Sequence, residues 1–350
     1  MQYTFCCSIF LCSINIRCCS RRPPVTGVGS NVAKTQRATA MGYTKRLCVL
    51  LTLLAACPDQ LPDNQTFAEL FAGNGAWSGG MRLLGYSGST WDARRSDDHN
   101  FLTPVGFMLA IMGAFAIHQC GVLLAAPPCS SWIFATRWTS GRVGDVLGHT
   151  ESAYIQGQNA LVARLVYVLT LCCKRGVWWI VEQPASSIMW EHPRWKRLVR
   201  RYRAIVRSVK LDMGAYSMLC VKDTLLVGTA PYLEQMARRM TPDDRQALQF
   251  NGHRLVTGKT TVDKSGKRRF QGSRELKQTQ AYDFGFGSAH ALRYKEFVET
   301  HAADNPHPMV DSDSSDSEIG GDDEYLRDLF HEGHKWHDNI KSEHVLRIGS

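Results

Sequence analysis

Apolar runs of strand length alternate with longer stretches of helical period through the middle of the chain. Residues 66–71 alternate and then run apolar, as a buried strand does. Ala72-Gly73-Asn74-Gly75 follows as a tight glycine turn, and residues 76–84 then place Trp77, Met81 and Leu84 at the three- and four-residue spacing of a helix. The pattern repeats: a short strand at 88–91, a helix at 107–119, a strand at 121–126, a long helix at 153–174 and a strand at 176–181. Strands separated by helices predict an α/β fold with a doubly wound, mostly parallel sheet.

Candidate chemistry collects where these strands end. In such sheets ligands bind outside the carboxyl ends of the strands, and a Gly-x-Gly turn lets backbone approach a cofactor. Glycines in strand-to-helix turns also occur for steric reasons alone. The second strand ends at Asp92, where a Rossmann-like site uses a carboxylate to bind the ribose hydroxyls of an adenosine cofactor. Asp97, Asp98 and Asn100 follow in a polar loop that reaches the same side. The third strand stops at Pro127-Pro128-Cys129, whose two prolines restrict the backbone and place Cys129 at the sheet edge. A lone cysteine is usually a small core hydrophobe, but one in a rigid loop at this edge is a nucleophile candidate. Residues 132–150, polar and Gly-rich with Arg137 and Arg142, suit a mobile loop over the site. Glu182-Gln183-Pro184 ends the next strand and brings a carboxylate to the same edge.

Charge changes the picture at both ends. The net charge is +9, yet residues 311–350 carry −7, which leaves +16 on residues 1–310. A body that basic suits a polyanionic partner such as nucleic acid. Residues 251–277 carry Arg254, Lys259, Lys264, Lys267, Arg268, Arg269, Arg274 and Lys277, with Tyr282 and Phe284 just beyond. Basic residues near aromatics read either as a backbone-tracking surface or as a solvated basic hairpin. The acidic stretch 311–324 has almost no apolar residues and is expected to be disordered. His331, His334 and His337 read as a solvated polar helix rather than a metal site, and no metal is expected.

Of twelve cysteines, five lie in the first nineteen residues, and no CxxC pair has the spacing of a structural zinc site. The apolar run at 47–57 is too short for a membrane span, which needs roughly 20 residues. It reads equally as part of a targeting segment or as a buried helix. The expected organisation is an N-terminal extension (1–60, Cys-rich and basic), a catalytic domain (61–232), a small basic substrate-recognition region (233–310) and an acidic tail (311–350).

Three pieces in order, Phe71-Ala-Gly-Asn-Gly, Pro127-Pro128-Cys129 and Glu182-Gln183-Pro184, resemble the cytosine-C5 DNA methyltransferase family. That family is a branch of the class I S-adenosylmethionine-dependent methyltransferases, and the likeness spans residues 66–230. It implies the class I methyltransferase fold, and S-adenosyl-L-methionine held by Phe71, Gly73, Asn74, Gly75, Asp92 and Pro127. It implies Cys129 as the nucleophile at cytosine C6, Glu182 as the acid at N3, and Lys222 beside the ring or a phosphate, where the family has arginine. The implied partner is nucleic acid, DNA before RNA; its candidate contacts, Lys267, Arg268 and Arg269, come from the basic stretch at 251–277 rather than from the resemblance. A nuclear location follows if DNA is the substrate; the N-terminus leaves organelle or secretory targeting open.

The chain departs from the family pattern at Ser130, Gln183 and Cys220, where the family has glutamine, asparagine and glutamine. Two other functions therefore stand beside C5 methylation. One is a methyltransferase for another acceptor, which would not need Cys129. The other is a non-enzymatic nucleic-acid-binding protein that has kept the fold.

Overall fold

The computed structural model describes residues 64–216, 221–250, 258–262, 266, 268–272 and 282–301. The expected N-terminal extension and acidic tail, Lys267 and Cys220 lie outside them. Six strands form the main sheet: β1 (Gln65–Leu70), β2 (Gly88–Trp91), β3 (Ile117–Ala125), β4 (Trp178–Pro184), β5 (Arg207–Asp212) and β6 (Asp223–Gly228). They lie in the order β2-β1-β3-β4-β6-β5. β2, β1, β3 and β4 are mutually parallel, and β6 is antiparallel to both β4 and β5. The fold is therefore α/β with a mixed, mostly parallel sheet.

Side-chain parity sorts the core into two layers, because successive residues of a strand point to opposite faces. Ala68, Leu70, Leu123, Ala125, Trp179 and Val181 pack on one face with α2 (Pro104–Phe115), α3 (Ala153–Lys174) and α4 (Pro193–Arg201). Phe67, Val122, Leu124, Trp178 and Ile180 pack on the other with α1 (Ala76–Leu83) and α6 (Phe284–His301). By the same parity Glu69 and Glu182 face the α1/α6 layer. Between β6 and α6 lie α5 (Pro242–Phe250) and a separate hairpin of β7 (Gly258–Val262) and β8 (Arg268–Gly272). Thus part of residues 233–310, expected as a recognition region, supplies a helix to the sheet's second face.

Three boundaries differ from the sequence reading, each for a local reason. α2 begins at Pro104, not 107, because Thr103 caps it: its hydroxyl accepts from Gly106 N at 3.0 Å, with proline in the first turn. It ends at Phe115, and β3 starts at Ile117 through a register shift opposite Gln65–Phe67, with Cys120 at φ 63°. Finally, β4 runs through Glu182 and Gln183 to Pro184 instead of stopping before them. The antiparallel partner β6 continues the ladder there, pairing Glu182 with Leu226 and Gln183 with Leu225.

The α1/α6 crossing is a backbone contact. A Cβ added to Gly80 would lie 2.3 Å from Gly287 C, and one added to Gly287 would lie 2.0 Å from Ala76 O. Only glycine allows such an approach. Either Gly80→Ala or Gly287→Ala should therefore separate the helices, costing about 1–3 kcal/mol. Thermal unfolding checks this, and a Tm within a degree of wild type would show that the crossing yields without cost.

Candidate active site

The chain reverses its direction of sheet-building at β1: β2 is laid on one side and β3 on the other. Such a switch point opens a crevice at the carboxyl ends of the two strands. Phe71–Gly75 leave β1 there, and Pro127–Cys129 leave β3.

The glycine turn is held from several sides. Phe71, Gly73 and Gly75 all have positive φ (59°, 53° and 75°). The left-handed region is unusual for phenylalanine and marks local strain; Phe71 is held edge-on against Phe101, with centroids 5.1 Å apart. Gly73 N donates to Asp92 Oδ2 at 2.8 Å, and Arg94 N donates to Asp92 Oδ1 at 2.8 Å. Asp92 thus organises the turn, and each carboxylate oxygen keeps a second acceptor site. The Arg95 guanidinium donates to Gly73 O at 3.1 Å and to Thr90 Oγ1 at 3.0 Å. A Cβ added to Gly73 would meet nothing within 4 Å, so the turn is open on that side. Of the polar residues that follow Asp92, Asn100 serves the backbone: its Oδ1 accepts from Leu102 N at 3.0 Å.

Glu69 and Tyr282 are site residues that sequence reasoning missed. Glu69 is buried near the end of β1, and its Oε2 accepts from Ser78 N at 2.9 Å, satisfying an N–H in the first turn of α1. Its Oε1 is buried without a hydrogen-bond partner. Burial pushes this carboxyl up to about 7, against the pull of Ser78. The available signal was a single charge in the apolar run Phe-Ala-Glu-Leu-Phe. Tyr282 was expected near an exposed basic surface, but it is buried and its hydroxyl donates to Glu182 Oε2. Its signal was the four-residue spacing of Tyr282, Phe286, His290 and Tyr294, a helical stripe that buries against Trp77 and Tyr232.

At the end of β4, Glu182 is buried between two partners. Lys222 Nζ lies 3.2 Å from Glu182 Oε1, and the same ammonium sits 4.9 Å from the Tyr282 ring centroid. Asn74 Nδ2 donates to Tyr282 O at 3.0 Å, so the glycine turn holds the residue that holds Glu182. Gln183 Nε2 donates to Pro127 O, and Ser187 Oγ donates to Gln183 Oε1 at 3.0 Å, tying the Pro-Pro-Cys loop to β4.

Cys129 is a partly buried free thiol within reach of the charges on Glu182 and Lys222. Burial raises its pKa most, the Glu182 charge raises it further, and Lys222 opposes both. The resting sulfur is therefore a thiol, not the thiolate that nucleophilic addition requires. Burial and Glu182 also hold the Tyr282 hydroxyl well above the usual phenol range, so it remains a donor.

The structure thus brings Phe71, Gly73, Asn74, Gly75 and Asp92 together, and joins Pro127, Cys129, Glu182 and Lys222 across three segments. Arg268 and Arg269 lie on β8, paired with Val262 and Thr261. Within residues 132–150, expected as a mobile loop, Trp132, Ser140 and Arg142 are buried while Phe134, Trp138 and Val143 stay exposed. Trp132 is fully buried with the Arg142 guanidinium 3.5 Å above its ring, and Arg142 donates to Asn159 Oδ1 at 3.0 Å. Among the described residues no cluster of three or more metal-binding side chains occurs, and no helix is long and apolar enough to cross a membrane.

Two titrations report on this arrangement. Iodoacetamide should label Cys129 only above the ordinary thiol range. Glu182→Gln should move the profile to lower pH and Lys222→Met to higher pH, read by mass spectrometry of the Cys129 peptide. For Glu69, the folded protein holds the proton more tightly than the unfolded chain. Its stabilising contribution is full below about 4.5 and lost as pH rises through about 7, an effect on the order of 3 kcal/mol. The stability difference between wild type and Glu69→Gln, from urea unfolding at pH 4.5 and 8, should shift by that amount in favour of the variant; a constant difference would mean that Glu69 titrates normally.

Comparison of the sequence with protein-family models and with curated proteins found no match in either.

Proposed function

We propose that this protein is an S-adenosylmethionine-dependent methyltransferase acting on cytosine C5 in nucleic acid. The observation that carries the reading is the convergence of Cys129, Glu182 and Lys222 beside the glycine turn at the sheet's switch point. It joins a nucleophile, an acid and a cation, from three distant segments, to a turn of cofactor-binding type. The resemblance to the cytosine-C5 DNA methyltransferases and the class I methyltransferase fold belong to this proposal, as does DNA as the preferred partner.

The residues fit the cofactor. Gly73 is open to close approach, and Asp92 keeps acceptor sites for hydroxyl groups. Phe71, Asn74, Gly75 and Pro127 complete the border. Bound there, S-adenosylmethionine supplies an electrophilic methyl group.

The chain's own residues account for the proton traffic. Cytosine C5 becomes nucleophilic only after a thiolate adds at C6. The Cys129 thiol must therefore lose a proton, and the Glu182 carboxylate that opposes its ionisation is a base suited to accept it. Moving the proton within the pair keeps it at one negative charge, whereas losing the thiol proton to solvent would leave two as near neighbours. Cys129 Sγ then bonds to C6, and Glu182 returns the proton to N3 as charge develops there. After C5 is methylated, its proton passes to solvent, N3 gives its proton back to the Glu182 carboxylate, and the Sγ–C6 bond breaks with its electron pair leaving on Cys129 as thiolate, which restores the aromatic base. Lys222 and Tyr282 orient Glu182 throughout. The target base would have to be flipped out to reach Cys129, costing a few kcal/mol, which phosphate contacts on a basic body offset.

One observation favours a second reading. The partly buried Cys129 thiol is held protonated, as an inert core cysteine would be, and this suits a nucleic-acid-binding protein without catalysis.

Trapping on duplexes containing 5-fluorocytosine separates these readings, because fluorine blocks the final elimination. With cofactor, wild type should form a covalent adduct and Cys129→Ala none. Tyr282→Phe should slow adduct formation about 10–100-fold, the worth of one hydrogen bond to a charged group. Cofactor binding without an adduct would point to another methyl acceptor, and no cofactor binding to a scaffold role.

A further inference from the structure

The sequence places candidate nucleic-acid contacts in residues 251–277, but the densest basic segment among the described residues lies elsewhere. From 191 to 210 the chain carries Arg194, Lys196, Arg197, Arg200, Arg201, Arg203, Arg207 and Lys210 against one acid, Glu191. His192 in this segment is buried and its pKa is lowered to about 3, so it adds no charge near neutral pH.

The fold gives this charge a face. α4 buries Trp195 and Leu198 in the core, and Tyr202 follows them inward. Lys196 and Arg200 are exposed one helical turn apart on α4, and Arg203 is exposed in the turn that follows it. Glu191 lies 2.5 Å from Lys196, and Glu234 lies 3.2 Å from Arg207; both pairs are solvent-exposed. Exposed pairs of this kind exchange readily and contribute little, so they offset only part of the positive field. In the chain α4 is the first α-helix after β4, from which it is separated by a 3-10 turn at Ile188–Glu191.

We infer that the outer face of α4 and the turn after it form a phosphate-backbone contact for nucleic acid. The occupant follows from the chemistry. Arginine-rich faces match phosphate through paired N–H donors. An interfacial membrane helix would direct its aromatic and aliphatic residues outward, whereas here they are consumed by the sheet. The face offers no base-reading device, so the contact is independent of sequence and strongly salt-dependent. The inference shares the nucleic-acid partner of the proposed function but does not depend on its chemistry.

The test is fluorescence anisotropy of the full chain on a labelled random-sequence duplex, across a salt series. Lys196→Gln/Arg200→Gln/Arg203→Gln changes only exposed side chains, and circular dichroism checks its fold. The triple variant should bind about tenfold more weakly at moderate salt, and its slope of log affinity against log salt should fall by about 2–3. Anisotropy needs neither cofactor nor a covalent step, so a failed trapping experiment leaves this result standing. Unchanged affinity and slope in the triple variant would overturn the inference, as would absence of duplex binding by wild type. Loss of binding to phosphatidylserine vesicles with duplex binding intact would overturn it in favour of a membrane surface.

Discussion

A carboxylate buried at the end of an interior strand must find charge and hydrogen bonds or give up its ionisation. Glu182 meets that demand with Lys222, just before β6, and with Tyr282, from the segment leading into α6. Tyr282 is in turn held by Asn74 in the glycine turn. One buried charge therefore couples parts of the chain as far apart as residues 74 and 282. The site is assembled only when the antiparallel strand and the last helix are both in place.

The α1/α6 layer makes that assembly rigid. Gly80 and Gly287 allow the two helices to touch through their backbones, and Trp77 fills the space beside them, ringed by Tyr282, Phe286 and His290. Tyr232 hydrogen-bonds His290 at 3.0 Å within the same layer. Burial lowers the pKa of His290 to about 3, so it stays neutral near physiological pH and acts as a packed polar group. The opposite layer packs down the stretch after Cys129 by a different device, with Arg142 stacked on Trp132 and bonded to Asn159.

The electrostatics of the thiol and of the surface point in different directions. Around Cys129, burial and Glu182 favour the neutral thiol, so in the proposed reaction the nucleophile forms only once its proton is moved. On the outer face of α4, cations stand in water, where they act over roughly a Debye length of 8–10 Å. A site that keeps its charge hidden and a face that advertises it are compatible in one protein if the surface captures a polyanion and the site acts on one base of it.

The sequence by itself determined the α/β class, because strand and helix periods alternate unambiguously between residues 66 and 181. It also located the glycine turn, Asp92, the Pro-Pro-Cys loop and Glu182, since each stands where an apolar run stops and special backbone or charge begins. Only the tertiary structure decided the rest. Glu182 and Gln183 lie within β4 because β6 pairs with them, and no local pattern announces an antiparallel partner some forty residues away. Tyr282 belongs to the site because α6 folds back onto α1, a contact between residues separated by about two hundred positions. The basic face of α4 emerges because the core takes Trp195 and Leu198 and leaves cations such as Lys196 and Arg200 outside. Local chemistry was legible in order along the chain, whereas partnership across it was set by packing.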